Sequence, residues 1–508
     1  MLLSKKNIIN SNPGAGVMLP SEDLLKLPEK VLQFGTGVLL RGLPDYFIDK
    51  ANRAGIFNGR IVVVKSTTSG DTKDFSQQDA LYTLCIRGIE GGKKVEEIVV
   101  ISSISRVLSA NNEWDKILQC AHNQDLHIII SNTTEVGITL LKENILTGIP
   151  TSFPGKLLAI LLERYKAFNG SEASGFVVIP TELIPDNGKK LKSIIIELAE
   201  YNKLEKEFIH WINHSNHFCT SLVDRIVPGK LSPADKEIVE KKTGYADNLM
   251  IMAEPYRLWA IECDNIIVRD ILSFYKADDG VVIAGNIEKF RELKIRLLNG
   301  AHSFSAGLAF LSGFRTVKEA MANNSITSYI RNLMVHEILP AICGETISFE
   351  EGHLFAEKVL DRFCNPSLEH QWLSITAQYT SKMRMRNVPV LLQHYRKSQE
   401  VPEHMALGFA GFLLFMKPVK TGGGIFEVSL NNNSYPLSDE HANYFYEKWK
   451  TGDIVTVIKS ILKDEQLWGT NLAGLNGFAD AVIENILLLE KHGVLQTIKE
   501  FELNKIGA

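Results

Sequence analysis

The chain has 508 residues, 45% of them hydrophobic and 22% charged, with a formal net charge of -4. That length exceeds one ordinary domain, so two or three are expected, each with ample apolar material for a core. The charge leaves no footprint for nucleic acid, and no run of about 18 apolar residues reads as a membrane span. Lys5 and Lys6 have no apolar segment behind them, so the start does not read as a secretory signal. The six cysteines, Cys85, Cys120, Cys219, Cys263, Cys343 and Cys364, are scattered and form no C-x-x-C; they read as reduced, mostly buried thiols. A cytoplasmic protein acting on a small molecule is the expectation, with its oligomeric state left open.

In chain order, residues 30–35 read as a buried strand ending at a glycine turn, followed by a helical pattern through Leu43, Phe47 and Ile48. A second strand runs from Arg60 to Lys65. Further β-branched runs fall at 98–101, 127–131 and 175–179, with helical patterns at 114–121 and 157–165. Strands alternating with helices imply a mostly parallel sheet whose strand ends carry the site. After Asp278-Asp279-Gly280 to Gly285 the character changes. Helical patterns dominate at 287–311, 317–321, 326–338, 350–362, 370–379 and 409–416. The Gly/Asn-rich segment 417–440 reads as an exposed loop or small hairpin.

Several short motifs carry chemistry. Gly35-Thr36-Gly37-Val38-Leu39-Leu40-Arg41-Gly42 follows a strand and opens a helix. Gly35 permits a tight turn and Gly37 lets a backbone approach a pyrophosphate, although the third glycine of the common fingerprint falls at Leu40. The second strand ends near Lys65 rather than at an acid, which leaves NAD and NADP both open; Asp71 is the nearest acid beyond it. Ser131-Asn132-Thr133-Thr134-Glu135 offers small polar groups at another strand end. Asn187, in Pro180-Thr-Glu-Leu-Ile-Pro-Asp-Asn-Gly188, has an amide suited to a substrate oxygen, although Asp-Asn-Gly is also an ordinary turn. His210, His214 and His217 have helical spacing, but no acid completes a zinc pattern, so a structural cluster is expected and no metal.

The most informative run is Lys294-Ile-Arg-Leu-Leu-Asn-Gly-Ala-His302. On an α-helix Lys294, His302 and Asn299 fall at roughly 0°, 80° and 140°, so all three can face one side. A lysine whose surroundings disfavour its charge can serve as a general base, while Asn and His polarise an oxygen. Gly300 within the helix suggests close approach of another group. Lys382-Met-Arg384-Met-Arg386 reads as an anion clamp, or else as a solvated basic face.

These motifs, in this order, resemble the polyol-specific long-chain dehydrogenases of the mannitol dehydrogenase family. The resemblance rests on Lys-x4-Asn-x2-His at Lys294, Asn299 and His302, on G-x-G-x-x-x-R at Gly35–Arg41, on Thr134–Glu135 and on Val223-Asp-Arg-Ile226. It extends from about residue 30 into the C-terminal region. Gln78-Asp-Ala-Leu-Tyr-Thr83, the string from Phe218 through Val227, and Arg362-Phe-Cys-Asn-Pro366 resemble the branch acting on hexuronates.

The resemblance implies an α/β Rossmann-type N-terminal domain over 1–284, a mainly α-helical C-terminal domain over 285–508, and catalysis in the cleft between them. It implies a nicotinamide cofactor, NAD (as NADH) in this branch, and no catalytic metal. Phe34, Gly35, Thr36, Gly37, Val38, Leu39, Arg41, Lys65, Asn132 and Thr133 would line the cofactor. Lys294 would be the general acid/base, Asn187 and Asn299 the donors to the developing oxyanion, and His302 an orienting residue, with Glu135 assisting proton exchange. Asp224, Lys382, Arg384 and Arg386 would hold a small hexuronate or aldonate, the three cations selecting its carboxylate. The alternatives are a sister hexuronate reductase of different stereochemistry, a neutral-polyol dehydrogenase, and a non-catalytic nicotinamide-binding regulator.

Overall fold

The computed structural model describes residues 1–9, 14–67, 72–133, 137–430 and 433–506. It divides into two compact units, one of Met1–Arg87 with Lys94–Ile287, the other of Gly88–Lys93 with Glu288–Ala508.

The first unit is built on a six-stranded parallel sheet: β1 (Glu29–Phe34), β2 (Arg60–Lys65), β3 (Ile104–Ser109), β4 (Ile128–Ser131), β5 (Val177–Pro180) and β6 (His217–Phe218), in spatial order β3-β2-β1-β4-β5-β6. This is the Rossmann order. A parallel sheet covered on both faces needs strands apolar on both sides, which is why Arg60-Ile-Val-Val-Val-Lys65 is buried throughout. Successive residues feed opposite cores. Val31, Ile61, Val63, Ile128 and Ile130 pack on one face with Phe47 and Ile48 of the helix Pro44–Arg53. Leu32, Val62, Val64 and Ile129 pack on the other with Leu157, Leu191 and Phe208, from the helices Phe153–Ala167, Asn187–Tyr201 and Lys206–Ser215.

Two departures from the sequence reading concern strands. The run at 98–101 is the end of a longer strand, Lys93–Ile101, which pairs with Tyr82–Glu90 in a separate four-stranded sheet. The two are joined at Gly91-Gly92, both at positive φ, a turn that glycine alone enters freely. The strand next to β2 is instead β3, whose Ile-Ser-Arg-Val-Leu-Ser pattern has only two of six positions fully buried and so lacks a continuous apolar signal.

The second unit is mainly helical. The helices Ala301–Leu311 and Glu403–Phe415 are almost wholly buried. A Cβ at Gly307 would stand 2.4 Å from the Gly411 carbonyl oxygen, so glycine is what permits this crossing. Ser348 and Thr316 each close a capping box that starts a helix. The expected helix 287–311 comes in three parts: Glu288–Leu293 is α, Lys294–Gly300 is π, and Ala301–Leu311 is α again. Two more π segments occur at Leu333–Ile338 and Met383–Asn387. The expected helix 370–379 is two short turns, Trp372–Ile375 and Tyr379–Lys382, separated by Gln378 at φ +51. Within 417–440, Val419–Lys420, Phe426–Leu430 and Asn433–Pro436 form a small three-stranded sheet. No helix among the described residues is long and apolar enough to cross a membrane.

Candidate active site

In the first unit the chain order reverses between β1 and β4, where the loops following these strands meet. Gly35 N donates to the Val64 carbonyl (3.0 Å) and Asn132 N to the Phe34 carbonyl (3.1 Å), which fixes both loops against the sheet. Gly35 lies at φ +126, and a Cβ there would sit 2.9 Å from Leu40 Cδ1 and 3.0 Å from the Asn132 carbonyl oxygen. Gly37 is exposed, with nothing within 4 Å of where a Cβ would be. A tight turn beside an open glycine is what a pyrophosphate needs to approach the backbone, so these residues fit a dinucleotide.

Around the loop, Phe34 is fully buried, Thr36 is half-buried, and Val38 and Leu39 pack partly against the core. Asn132 donates its amide to the Thr181 hydroxyl (3.0 Å), and Thr133 N and Oγ1 both bond Glu182 Oε1 (2.8 and 2.9 Å). Glu182 and Thr181 therefore shape this rim from the end of β5, a role the sequence did not announce. Lys65 is buried and its amine donates to the Thr67 carbonyl at 2.6 Å. Asp71, Thr134 and Glu135 lie outside the described residues.

Two expected contacts take other partners. The Arg41 guanidinium is buried against the rings of Phe75 and Tyr82 and donates to the Leu249 carbonyl (2.6 Å), so it serves the core rather than the cofactor loop. Asn187 is fully buried. Its amide donates to the carbonyls of Pro180, Glu182 and Ser221 (3.0, 2.9 and 3.0 Å), and its oxygen accepts from Gly188 N and Ser221 N. With both ends bonded to the protein, it stitches the end of β5 to the strand Ser221–Asp224. Asp224 closes that strand, buried, opposite Leu258.

In the second unit the π segment changes the geometry of Lys294 and Asn299. Hydrogen bonding from i to i+5 lowers the advance per residue from about 100° to roughly 80°, so residues five apart come nearly into register instead of 140° apart. Lys294 and Asn299 thus share a face more closely than an α-helix allows. Both are half-buried, and the Asn299 amide makes no hydrogen bond among the described residues. The close approach expected at Gly300 occurs at its carbonyl, which accepts from Asn387 Nδ2 at 3.0 Å. Arg296 ties the same turn to Met383–Asn387 by donating to the carbonyls of Met385 and Arg386 (2.8 and 2.9 Å). Neither Arg296 nor Asn387 was singled out in the sequence.

His302 follows one turn later. It is 7% exposed, its ring stacks on Phe363 at 4.0 Å, and His370 stands edge-on at 5.1 Å. Its Nε2 has no hydrogen-bond partner. Burial, with His370 and the cations Arg362, Arg386 and Lys382 around it, pushes its pKa well below the ordinary histidine value. His302 is therefore neutral at physiological pH, with a buried nitrogen left to meet a ligand. Burial also lowers the pKa of Arg386, Lys382 and His370. Cations gathered where water is scarce favour an anion.

Only two of the three expected clamp cations reach this cluster. Lys382 donates to the Ile375 carbonyl (2.7 Å) and Arg386 to Ser303 Oγ (3.3 Å). Arg384 is exposed and reaches the Gln466 carbonyl at 3.4 Å. The segment is helical, so residues two apart point differently, while 382 and 386 share a side. Arg362, rather than Arg384, is the third cation near His302.

Elsewhere, His210 and His214 stack at 4.0 Å on one helix. Among the described residues no group of three His, Cys, Asp or Glu could hold a metal ion.

Residues 29–271 match the mannitol dehydrogenase Rossmann domain, and residues 286–489 match the mannitol dehydrogenase C-terminal domain. The chain belongs to the mannitol dehydrogenase family. Among its relatives in that family is the altronate oxidoreductase of Halalkalibacterium halodurans, 37% identical over 492 residues, spanning 95% of this chain and 94% of that one. The altronate oxidoreductase of Bacillus subtilis is 35% identical over 480 residues, spanning 93% and 95%. The fold is that of Pseudomonas fluorescens mannitol 2-dehydrogenase, solved as a ternary complex with NAD and D-mannitol (TM-score 0.68, 23% identity, 99% of each chain). It is also that of a D-sorbitol dehydrogenase in substrate-free form (TM-score 0.76, 20% identity, 98% of this chain and 100% of that one). Both mannitol dehydrogenase family domains are thus present: a Rossmann N-terminal domain and a helical C-terminal one.

Proposed function

We propose that this chain is an NAD-dependent altronate oxidoreductase that reduces D-tagaturonate to D-altronate reversibly. The observation that carries the reading is the cation cluster around the unpartnered His302 nitrogen, beside the turn that bears Lys294 and Asn299. A neutral polyol has no use for such charge, whereas a uronate brings a carboxylate. The relatives named altronate oxidoreductase, at 31–37% identity, support the same substrate class. Mannitol 2-dehydrogenase, whose complex holds NAD, and the open Gly35–Gly37 turn support NAD.

When bound, the nicotinamide supplies or accepts hydride at the substrate carbon. Lys294 as ammonium delivers a proton to the forming alkoxide, and as free amine removes it in the reverse direction. Asn299 donates from its amide as negative charge grows on that oxygen; loss of such a donor typically costs about 2.7–4 kcal/mol of transition-state stabilisation. Neutral His302 donates or accepts at Nε2 to orient the substrate. Lys382 and Arg386, joined by Arg362 and His370, hold the carboxylate. Lys294→Ala should abolish turnover of tagaturonate while NADH still binds, read by NADH fluorescence. Near-normal turnover in that variant would overturn the assignment.

A further inference from the structure

Six thiols are present, and four of them are chemically quiet. Burial pushes the thiols of Cys85, Cys120, Cys343 and Cys364 up, that of Cys85 to about 12. Thiols held protonated are poor nucleophiles. Cys219 and Cys263 differ because they face each other.

The facing follows from register. The strand Ser221–Asp224 pairs antiparallel with Leu258–Glu262, Ser221 opposite Ile261. One step outward, Glu262 N donates to the Thr220 carbonyl at 2.8 Å. Carrying the same register one step further, beyond the last paired residues Ser221 and Ile261, sets Cys219 opposite Cys263. Because Thr220 and Glu262 are the hydrogen-bonded pair, the cysteines occupy a non-hydrogen-bonded position. In a regular ladder such residues have Cα atoms about 4.5 Å apart, within the span a disulfide bridges. Cys219 is 4% exposed and Cys263 half-buried, so one thiol is shielded and the other open to small reagents.

The two thiols are close enough to influence each other, and the Cys263 sulfur also lies 3.8 Å from the Asn265 carbonyl oxygen. The neighbouring Cys219 thiol draws the Cys263 pKa below the ordinary thiol range, and Cys263 together with burial raises that of Cys219. The accessible sulfur therefore carries the thiolate character and the buried one holds the proton.

We propose that Cys263 and Cys219 are a peroxide-sensitive pair, Cys263 the attacking and Cys219 the resolving thiol, which close to a reversible disulfide across the Ser221–Asp224 and Leu258–Glu262 strands. The Cys263 thiolate attacks hydrogen peroxide. Its O–O bond breaks, one oxygen leaves as hydroxide, which is protonated to water, and a sulfenic acid remains on Cys263. The Cys219 sulfur then attacks the Cys263 sulfur. The S–O bond breaks, the Cys219 proton leaves with the oxygen as a second water, and the S–S bond forms. The two thiols lose two electrons and two protons, and the peroxide gains them. The adjoining ladder from Ser221 and Ile261 holds the two segments side by side.

The test uses the full chain, reduced and then exposed to near-stoichiometric hydrogen peroxide. Intact mass should fall by about 2 Da, the two hydrogens lost in forming one disulfide, and dithiothreitol should restore it. The free-thiol titre should fall from six to four, and non-reducing peptide mapping should join Cys219 to Cys263. In Cys219→Ser, dimedone should trap a sulfenic acid on Cys263, and Cys263→Ser should take up neither label nor cross-link. A wild-type chain that keeps six titratable thiols, that accumulates a dimedone adduct at Cys263 without a cross-link, or that pairs other cysteines would overturn the proposal.

Discussion

Raising the pH from about 6.5 to above 9 should weaken the helical unit through one buried histidine. His404, at the second position of the helix Glu403–Phe415, bonds Glu337 Oε1 through Nδ1 at 2.9 Å, and its Nε2 lies 3.2 Å from Glu502 Oε1. All three residues are buried. Glu337, on the π segment Leu333–Ile338, also accepts from the backbone N–H groups of His404 and Met405 (2.7 and 2.8 Å). Glu502 accepts from Asn332 Nδ2 (2.7 Å) and ties in the helix Val494–Ile506. Burial, the largest single influence, lowers the His404 pKa. The hydrogen bond to Glu337, with the nearby carboxylates of Glu337 and Glu502, outweighs it and raises the value from 6.5 to about 9. At about 1.4 kcal/mol per unit, that shift corresponds to about 3 kcal/mol of stability. The folded-state pKa is the raised one, so the contribution is complete below about pH 6.5 and disappears as pH climbs through about 9.

The assay is urea unfolding of wild type and His404→Gln from pH 6 to 10. It is followed by tryptophan fluorescence, with Trp372 and Trp468 reporting buried positions in the same unit. The difference between the two proteins isolates this group from others titrating in the window. That difference should be largest near pH 6 and shrink by about 3 kcal/mol by pH 10, equivalent to roughly 6–12 °C in Tm for a domain of this size. The glutamine retains both backbone hydrogen bonds to Glu337, so the comparison tests charge rather than capping. Curves that run parallel across the whole range would refute the argument.

Gly35→Ala forces a side chain onto φ +126 and against both Leu40 and Asn132, so NADH affinity should fall tenfold or more (about 1.4 kcal/mol) by fluorescence titration. An unchanged Kd would remove the loop from the cofactor site. Arg386→Ala should raise KM for tagaturonate by roughly 10–150-fold, the range for losing a charge-assisted hydrogen bond of about 1.5–3 kcal/mol. Arg384→Ala should stay within about twofold because its guanidinium points elsewhere; equal effects in the two variants would contradict the separation of these arginines.

The parallel sheet was legible because continuous apolar runs such as Arg60–Lys65 have few alternatives in a long chain. The Gly35–Gly37 loop was legible because glycine is needed there for a geometric reason. The edge strand β3 was not, since a half-buried strand carries half the signal. Lys294, Asn299 and His302 stood out as residue types, but the widened turn that brings Lys294 and Asn299 onto one face is set by tertiary bonds from Arg296 and Asn387. Those partners lie about ninety residues away in the chain, beyond any local pattern. Asn187 and Arg41 show the converse: polar side chains beside motif glycines look available in sequence, and burial gave both to the scaffold. The alternating Lys382-Met-Arg384-Met-Arg386 suggested one clamp, and helical geometry split it.

The most direct test of the central claim is NADH consumption by the purified chain with D-tagaturonate, run beside D-fructuronate and D-fructose and repeated with NADPH. The account predicts rapid oxidation of NADH with tagaturonate, far slower turnover of fructuronate, and almost none of the neutral ketose, which has no carboxylate for Lys382 and Arg386. Fructose turned over as fast as tagaturonate would contradict it.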